Sequence, residues 1–280
     1  MAAGVPLAEA PAPFAVPAAE HACLVLENRP VNQRYWHLVV SAPAAARAVR
    51  PGQFFHLTCP PAPGDPVFLR RPMSVYQIRP NGGTVEFLYH VKGAGTRGLA
   101  RLSAGEHLEM LGPLGTGFTI DPAWRNVVVV GRGVGLATLA PLAEAAQRAG
   151  ARIVAVLSAR SKRDLMSEDV FAAAGAEVIG VTDEDGSSAL PKVEALLRRL
   201  IAEGRADAFY TCGSNRLLRL MQALGTEFGI PGEVALEQQM ACGLGMCFCC
   251  VRPVRRGGRT VDLRICRDGP VVGLSEAMSW

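Results

Sequence analysis

The 280-residue chain lacks any apolar run of the roughly 18 residues that cross a bilayer as a helix, so no helical membrane span is expected. It lacks a basic block as well. Net charge is only +4 and the 26 arginines are scattered along the chain, which argues against nucleic-acid binding. No Ser-His-Asp set and no paired carboxylates stand out, so acid–base hydrolysis has no support, and His37, His56 and His107 read as core or surface residues. There is no internal repeat. Residues 1–19, MAAGVPLAEAPAPFAVPAA, have neither the basic start nor the continuous apolar segment of a signal peptide and are expected to form a disordered Ala/Pro-rich tail. On that reading the location is cytoplasmic, a reducing compartment where clustered thiols bind metal or do redox chemistry rather than form disulfides.

What is present divides the chain into regions of different texture. From Cys23 to Phe118, short strand-like pieces (CLVLENR, YWHLVVSAP, QFFHLTC, MSVYQIR, TVEFLYHVK) are separated by turn signals such as Pro51-Gly52 and Asn81-Gly82-Gly83. That spacing predicts an antiparallel barrel or sandwich over 20–120, with a helical turn somewhere in 99–111 and a connector at 112–118. At Asn126 the continuous apolar run VVVVG begins a different domain, over 121–232, in which strands alternate with helices and a parallel sheet is expected. Helices are predicted over 136–149, 168–174, 191–203 and 214–228, and strands in RIVAVLSAR, AEVIGVT and ADAFYTC. Residues 233–280 return to short pieces around cysteines. The fold class is therefore multidomain: an antiparallel β-barrel, an α/β parallel-sheet nucleotide domain and a small C-terminal domain.

Four of the eight cysteines lie in ACGLGMCFCC at 241–250. Cys242, Cys247 and Cys250 stand four and two residues apart, and Cys266 follows after fifteen more. This is the C-x4-C-x2-C…C spacing of plant-type [2Fe-2S] ferredoxins, and Gly243 and Gly245 give such a loop backbone freedom close to the cluster. A structural zinc site is the alternative, although zinc more often takes two C-x2-C knuckles. Cys249 lies within the C-x2-C interval; the spacing favours Cys250, and Cys249 is expected to be an extra buried thiol. Cys23 and Cys59 read as small core residues.

Two motifs in the barrel region carry phosphate and flavin chemistry. LRRPMSVY at 69–76 sets an arginine and a hydroxyl around a proline that a plain central strand would not hold, and GAGTRGL at 93–99 offers glycines and a threonine ahead of a helix. In the second domain, VVVVGRGVGLATLAPLAEAA gives strand, glycine turn and helix, but as G-x-G-x-G at Gly131, Gly133 and Gly135 with Val134 between the last two. The next strand ends in Ser158-Ala159-Arg160, without the acidic residue that would hold a ribose. Arg160, Lys162 and Arg163 would suit a 2'-phosphate, or form a solvated basic loop.

In this order, R-P-x-S, G-x-G-T and a nucleotide domain resemble the ferredoxin-NADP reductase superfamily. With the four-cysteine segment added, residues 20–272 are similar to the electron-transfer subunits of NAD-dependent dihydroorotate dehydrogenases. The resemblance implies that Arg71, Pro72, Met73, Ser74, Leu88, Tyr89, His90, Gly95 and Thr96 contact FAD, with Ser74 hydrogen-bonding near the flavin N5. It implies that Thr211-Cys212-Gly213 is the counterpart of a C-G-P signature beside the nicotinamide, with Ser214 in place of proline. Ser74 and Cys212 are thus the candidate catalytic residues; Gly131, Gly133, Val134, Gly135 and Gly213 are nucleotide contacts; Cys242, Cys247, Cys250 and Cys266 hold the [2Fe-2S] cluster. Arg132 replaces the middle glycine of the superfamily's G-G-G-x-G. The implied cofactors are FAD, [2Fe-2S] and NAD(H), with NADP(H) as the alternative. The implied partner is an FMN-containing dihydroorotate-oxidising subunit in a heterotetramer. The same plan also resembles ferredoxin-dependent NADP reductases and hydrogenase diaphorase subunits, and a redox-silent zinc module is the reading from another class.

Overall fold

The computed structural model describes residues 17–61, 64 and 66–278. The tail expected over 1–19 therefore lies outside the described residues up to position 16, and Ala19 already belongs to a strand.

The first unit comprises β1 (Ala19–Pro30), β2 (Tyr35–Ser41), α1 (Pro43–Ala48), β3 (Phe54–Leu57), β4 (Arg71–Ser74), β5 (Gln77–Arg79), β6 (Thr84–His90), α2 (Ala94–Leu99) and β7 (His107–Leu114). Its seven strands form one sheet in the order β4-β3-β7-β1-β2-β6-β5, with every neighbour antiparallel. The sheet curls around Val25, Leu38, Phe55, Leu57, Phe87, Tyr89 and Met110, so alternate residues of each strand face one core. Two expectations are corrected. The helix ends at Leu99, in α2, and 107–114 is a strand that pairs with both β1 and β3. Its pattern was obscured by Gly112 and Pro113, which end the apolar alternation of HLEML. MSVYQIR is two short strands, because the chain turns between Ser74 and Gln77.

The second unit runs through β8 (Asn126–Arg132), α3 (Gly135–Arg148), β9 (Arg152–Ala159), α4 (Glu168–Ala173), β10 (Glu177–Thr182), α5 (Leu190–Ala202), β11 (Ala208–Cys212), α6 (Asn215–Phe228) and β12 (Gly232–Ala235). Strand β8 shows why VVVVG reads as continuous: Val127 and Val129 pack toward α3, and Val128 and Val130 toward the opposite helices.

The last segment forms β13 (Val251–Arg256), β14 (Arg259–Arg264), α7 (Ile265–Asp268) and β15 (Val271–Gly273). Strand β15 joins the nucleotide sheet, whose order is β10-β9-β8-β11-β12-β15, antiparallel at that edge and parallel elsewhere. The boundary expected at 232/233 thus meets the start of β12, and the cysteine segment loops out from the sheet and returns to it. One buried cluster joins Phe54 and Leu114 of the first unit, Val128 and Val130 of the second, and Cys250, Ile265 and Cys266 of the third. Among the described residues no helix is long and apolar enough to cross a membrane.

Candidate functional site

The cysteine loop owes its shape to a hairpin. Strands β13 and β14 pair from Val251↔Arg264 to Arg256↔Arg259, leaving Gly257-Gly258 as a two-residue turn with φ of +57° and +75°. The register closes the fifteen-residue interval and sets Cys250 beside Cys266: the Ile265 amide donates to the Cys250 carbonyl at 3.2 Å and the Cys266 amide to Cys250 Sγ at 3.4 Å. On the other side of the loop, Cys247 lies close enough to Cys242, and Cys250 to Cys266, to act on their titration, and Cys242 acts on Cys266 as well. Among the described residues no three of these thiols stand close enough together to hold a single metal ion.

Such a donor set fits a two-iron core, in which each iron takes two thiolates. Backbone amides add to the fit, since Leu244 N–H donates to Cys242 Sγ at 3.4 Å and Gly245 N–H to Cys266 Sγ at 3.1 Å. Although burial opposes it, hydrogen bonds from the Cys247 and Leu244 amides and the Cys247 thiol bring the Cys242 thiol down to about 6. Burial and the neighbouring Cys250 thiol push Cys266 up to about 12. Cys250 and Cys266 are buried while Cys247 is exposed. Cys249, expected as a buried thiol, is exposed as well; the chain passes through Phe248 at φ +58°, which turns Cys249 outward. Cys23 and Cys59 lie in the core of the first unit, where burial pushes both thiols up to about 11.

The two barrel motifs meet. A Cβ on Gly95 would lie 3.0 Å from Arg71 Nε, so the Arg71 side chain crosses the start of α2. Thr96 does not present a free hydroxyl to a ligand, because its Oγ1 accepts from the Lys92 and Gly93 amides at 2.9 and 3.1 Å and holds the turn in shape. Strand pairing sets Ser74 opposite Phe54 and Pro72 opposite His56, on the face turned to the other units, while Met73 packs against the inner core. Along β6, Leu88 packs against the nucleotide unit and His90 stacks at 5.0 Å on Tyr35. Tyr89 points the other way; its ring is wholly buried in the barrel and its hydroxyl donates to Asn28 at 3.0 Å, so its side chain does not reach this face.

In the second unit the glycine loop and the Cys212-Gly213 turn touch. A Cβ on Gly135 would come within 2.7 Å of the Cys212 carbonyl, so only glycine lets the two loops close at the carboxyl ends of β8 and β11. Helix α3 starts at this point, after Val134, with no side-chain cap on its first amides, and those amides suit a pyrophosphate. Gly131 packs beneath Leu136, and Gly133 lies under the Tyr35 hydroxyl, 3.4 Å from where a Cβ would stand. The Cys212 thiol is buried in the core, and burial, with the Glu237 charge, raises its pKa.

Arg132 is turned away from the loop it interrupts. It donates to Ser158 Oγ at 2.8 Å and to both carboxylate oxygens of Asp183 at 3.2 and 2.6 Å, tying together the ends of β8, β9 and β10. Three further residues in this region carried no sequence signal. Tyr35 follows an ordinary turn, and Glu237, within electrostatic reach of Tyr35 and Cys212, sits in no motif. His56 is 1% exposed, and its Nε2 is buried with no hydrogen-bond partner among the described residues. Burial, with help from the Arg70 charge, pushes its pKa down to about 4, so the ring is neutral at pH 7.

Residues 237–277 match the iron-sulfur cluster binding domain of dihydroorotate dehydrogenase B. The electron transfer subunit of dihydroorotate dehydrogenase B (NAD(+)) from Desulforamulus reducens is 32% identical, over 84% of this chain and 89% of its own length. Its counterpart from Enterococcus faecalis is 34% identical, over 91% and 96%. Among solved structures, a chain of an NADH-dependent reduced ferredoxin-NADP oxidoreductase superposes with a TM-score of 0.76 at 28% identity, covering 91% of this chain and 88% of that one. At 32% and 34% identity over most of its length, the chain belongs to the family of electron transfer subunits of NAD(+)-dependent dihydroorotate dehydrogenase B.

Proposed function

We propose that this chain carries electrons between NAD(H) and a catalytic partner subunit that contains FMN and oxidises dihydroorotate, and that two copies of each subunit form a heterotetramer. Family membership implies the catalytic partner; its flavin type and the stoichiometry are part of the proposal. When bound, FAD exchanges a hydride with nicotinamide and single electrons with the iron-sulfur cluster, which links a two-electron carrier to one-electron traffic.

This chain's residues supply binding and position. Arg71 would pair with the FAD pyrophosphate across Gly95, with the turn held by Thr96, and the Ser74 hydroxyl would hydrogen-bond near the flavin N5. The amides at the start of α3 and the closed Gly135–Gly213 contact would hold the dinucleotide. Cys212 would pack beneath the nicotinamide from the core, and Cys242, Cys247, Cys250 and Cys266 would ligate the cluster. Around the cysteine loop Leu244, Met246 and Phe248 are exposed large apolar residues, the kind of surface that a partner covers.

The observation that carries this reading is the β13–β14 hairpin that sets Cys250 beside Cys266, in a buried cluster shared with the FAD barrel and the nucleotide sheet, with Cys242 and Cys247 on the loop before it. The test is an anaerobic visible spectrum of the purified chain before and after NADH, with iron, zinc and flavin assayed on the same sample. Flavin and cluster bands that bleach with NADH are expected. Zinc without flavin would overturn the reading. Co-expression with an FMN-containing dihydroorotate-oxidising subunit should then give a complex that reduces NAD with dihydroorotate, and no complex would remove that partner.

A further inference from the structure

The His56 ring sits between the FAD barrel and the cysteine loop. It belongs to β3, two residues from Phe54, and shares the outward face of the β3–β4 pair with Pro72 and Ser74. Its Nδ1–Cε1–Nε2 edge is turned to the loop: a Cβ on Gly243 would lie 3.0, 2.9 and 3.1 Å from those three atoms. Gly243, at φ +71°, follows Cys242 directly. The loop therefore gives up a side chain where the imidazole edge approaches, and the ring beside it keeps Nε2 buried without a partner.

Packing alone does not account for a histidine here. A ring nitrogen buried without a partner is costly, and an aromatic hydrocarbon would fill the space beside Phe54 without that cost. Thiolates and cluster sulfides only accept hydrogen bonds. A neutral imidazole facing them is satisfied when the nitrogen on that side carries the hydrogen. We propose that His56 Nε2–H donates a hydrogen bond to a sulfur of the bound cluster, making His56 a positioning residue that raises the reduction potential of the cluster. A donor to sulfur stabilises the more negative, reduced state. The same ring fixes the loop against the strand pair that carries Ser74, so the barrel's flavin-side face and the cluster loop are held in one register. This inference rests on the assignment of the four cysteines as cluster ligands.

The experiment uses the full chain with its FAD and iron. His56→Phe keeps a ring and removes both nitrogens, and His56→Gln keeps a donor. An EPR-monitored titration of His56→Phe should show the cluster midpoint moved to more negative potential, with electron sharing between FAD and cluster changed by about tenfold, or ~59 mV for one electron. The FAD midpoint should stay in place, and His56→Gln should recover part of the shift. In wild type labelled with 15N-histidine, the reduced cluster should show a weak nitrogen coupling that the Phe variant lacks. An unchanged cluster midpoint overturns the proposal, as does a shift confined to FAD. If His56→Phe fails to retain iron, the labelled wild type decides, and absence of any histidine coupling overturns it. Failure of the ligand assignment has a separate signature: Cys247→Ser would keep the cluster bands.

Discussion

Arg71 lies across Gly95, with its Nε 3.0 Å from where a Cβ would stand, and this contact joins two motifs twenty-odd residues apart in the chain. An alanine at 95 pushes the guanidinium out of that position, while Arg71→Ala removes it. Both should lower FAD affinity. Loss of a charge-assisted hydrogen bond to phosphate costs about 1.5–3 kcal/mol, so Arg71→Ala should weaken FAD binding by roughly ten- to a hundredfold. Titration of deflavinated protein with FAD, followed by flavin fluorescence, measures this. Unchanged affinity in both variants would mean that the pyrophosphate is held elsewhere.

The proposed ligand set predicts unequal effects within ACGLGMCFCC. Cys247→Ser should remove the cluster absorption and leave most FAD bound, because the proposed FAD contacts lie on other strands. Cys249→Ser should keep the cluster: the residue is exposed and, among the described residues, its Sγ donates to the Gln239 carbonyl, at 4.0 Å. Iron and flavin content per chain check both, and a Cys249→Ser protein without iron would reassign the third ligand.

Those cysteines show how unevenly the sequence reports on the structure. The four-two-fifteen spacing was legible because it is local, and Gly257-Gly258 closes the last interval as a hairpin turn. The α/β unit was legible because its central strands β8, β9 and β11 are buried on both faces, which gives runs such as VVVVG, and the predicted helices agree with the observed ones to within a residue or so. The barrel was harder. Strand β7 hides behind Gly112 and Pro113, and its apolar face is defined by partners from distant segments. The inward turn of Tyr89, the outward turn of Cys249 and the buried edge of His56 depend on tertiary contacts, so residue type alone gave no sign of them.

Nicotinamide preference follows from the ends of β8 to β10. Arg132 is engaged by Ser158 and Asp183, which leaves the exposed loop cations Arg160, Lys162 and Arg163 for a 2'-phosphate. Exposed, solvated cations hold a phosphate weakly, so NADH should reduce the flavin faster than NADPH. Arg160→Ala should change the NADH rate by less than about twofold, as for other surface substitutions. Stopped-flow flavin reduction with each nucleotide is the measurement. Faster reduction by NADPH, abolished in Arg160→Ala, would reverse the preference.

The Arg132–Asp183 pair also predicts a pH effect of defined sign. Hydrogen bonds from Arg132 and Ser188 hold the Asp183 carboxyl below the usual carboxylate range. A carboxyl depressed in the folded state binds its proton more readily when unfolded, so its stabilisation is complete above the unfolded value of about 3.9 and is lost as pH falls through the lower folded value. Asp183 is half-exposed, with 46% of its side chain accessible, so the stabilisation is that of a solvent-screened pair, about 0.2–1 kcal/mol. Asp183→Asn should therefore lower the thermal midpoint slightly at pH 7. The difference from wild type should begin to shrink below about pH 4, as the unfolded chain takes up its proton, and disappear as pH falls through the lower folded value. Thermal unfolding of both proteins at pH 7, 5 and 3 checks this, and a difference that grows toward low pH would show that Asp183 is not held ionised by Arg132.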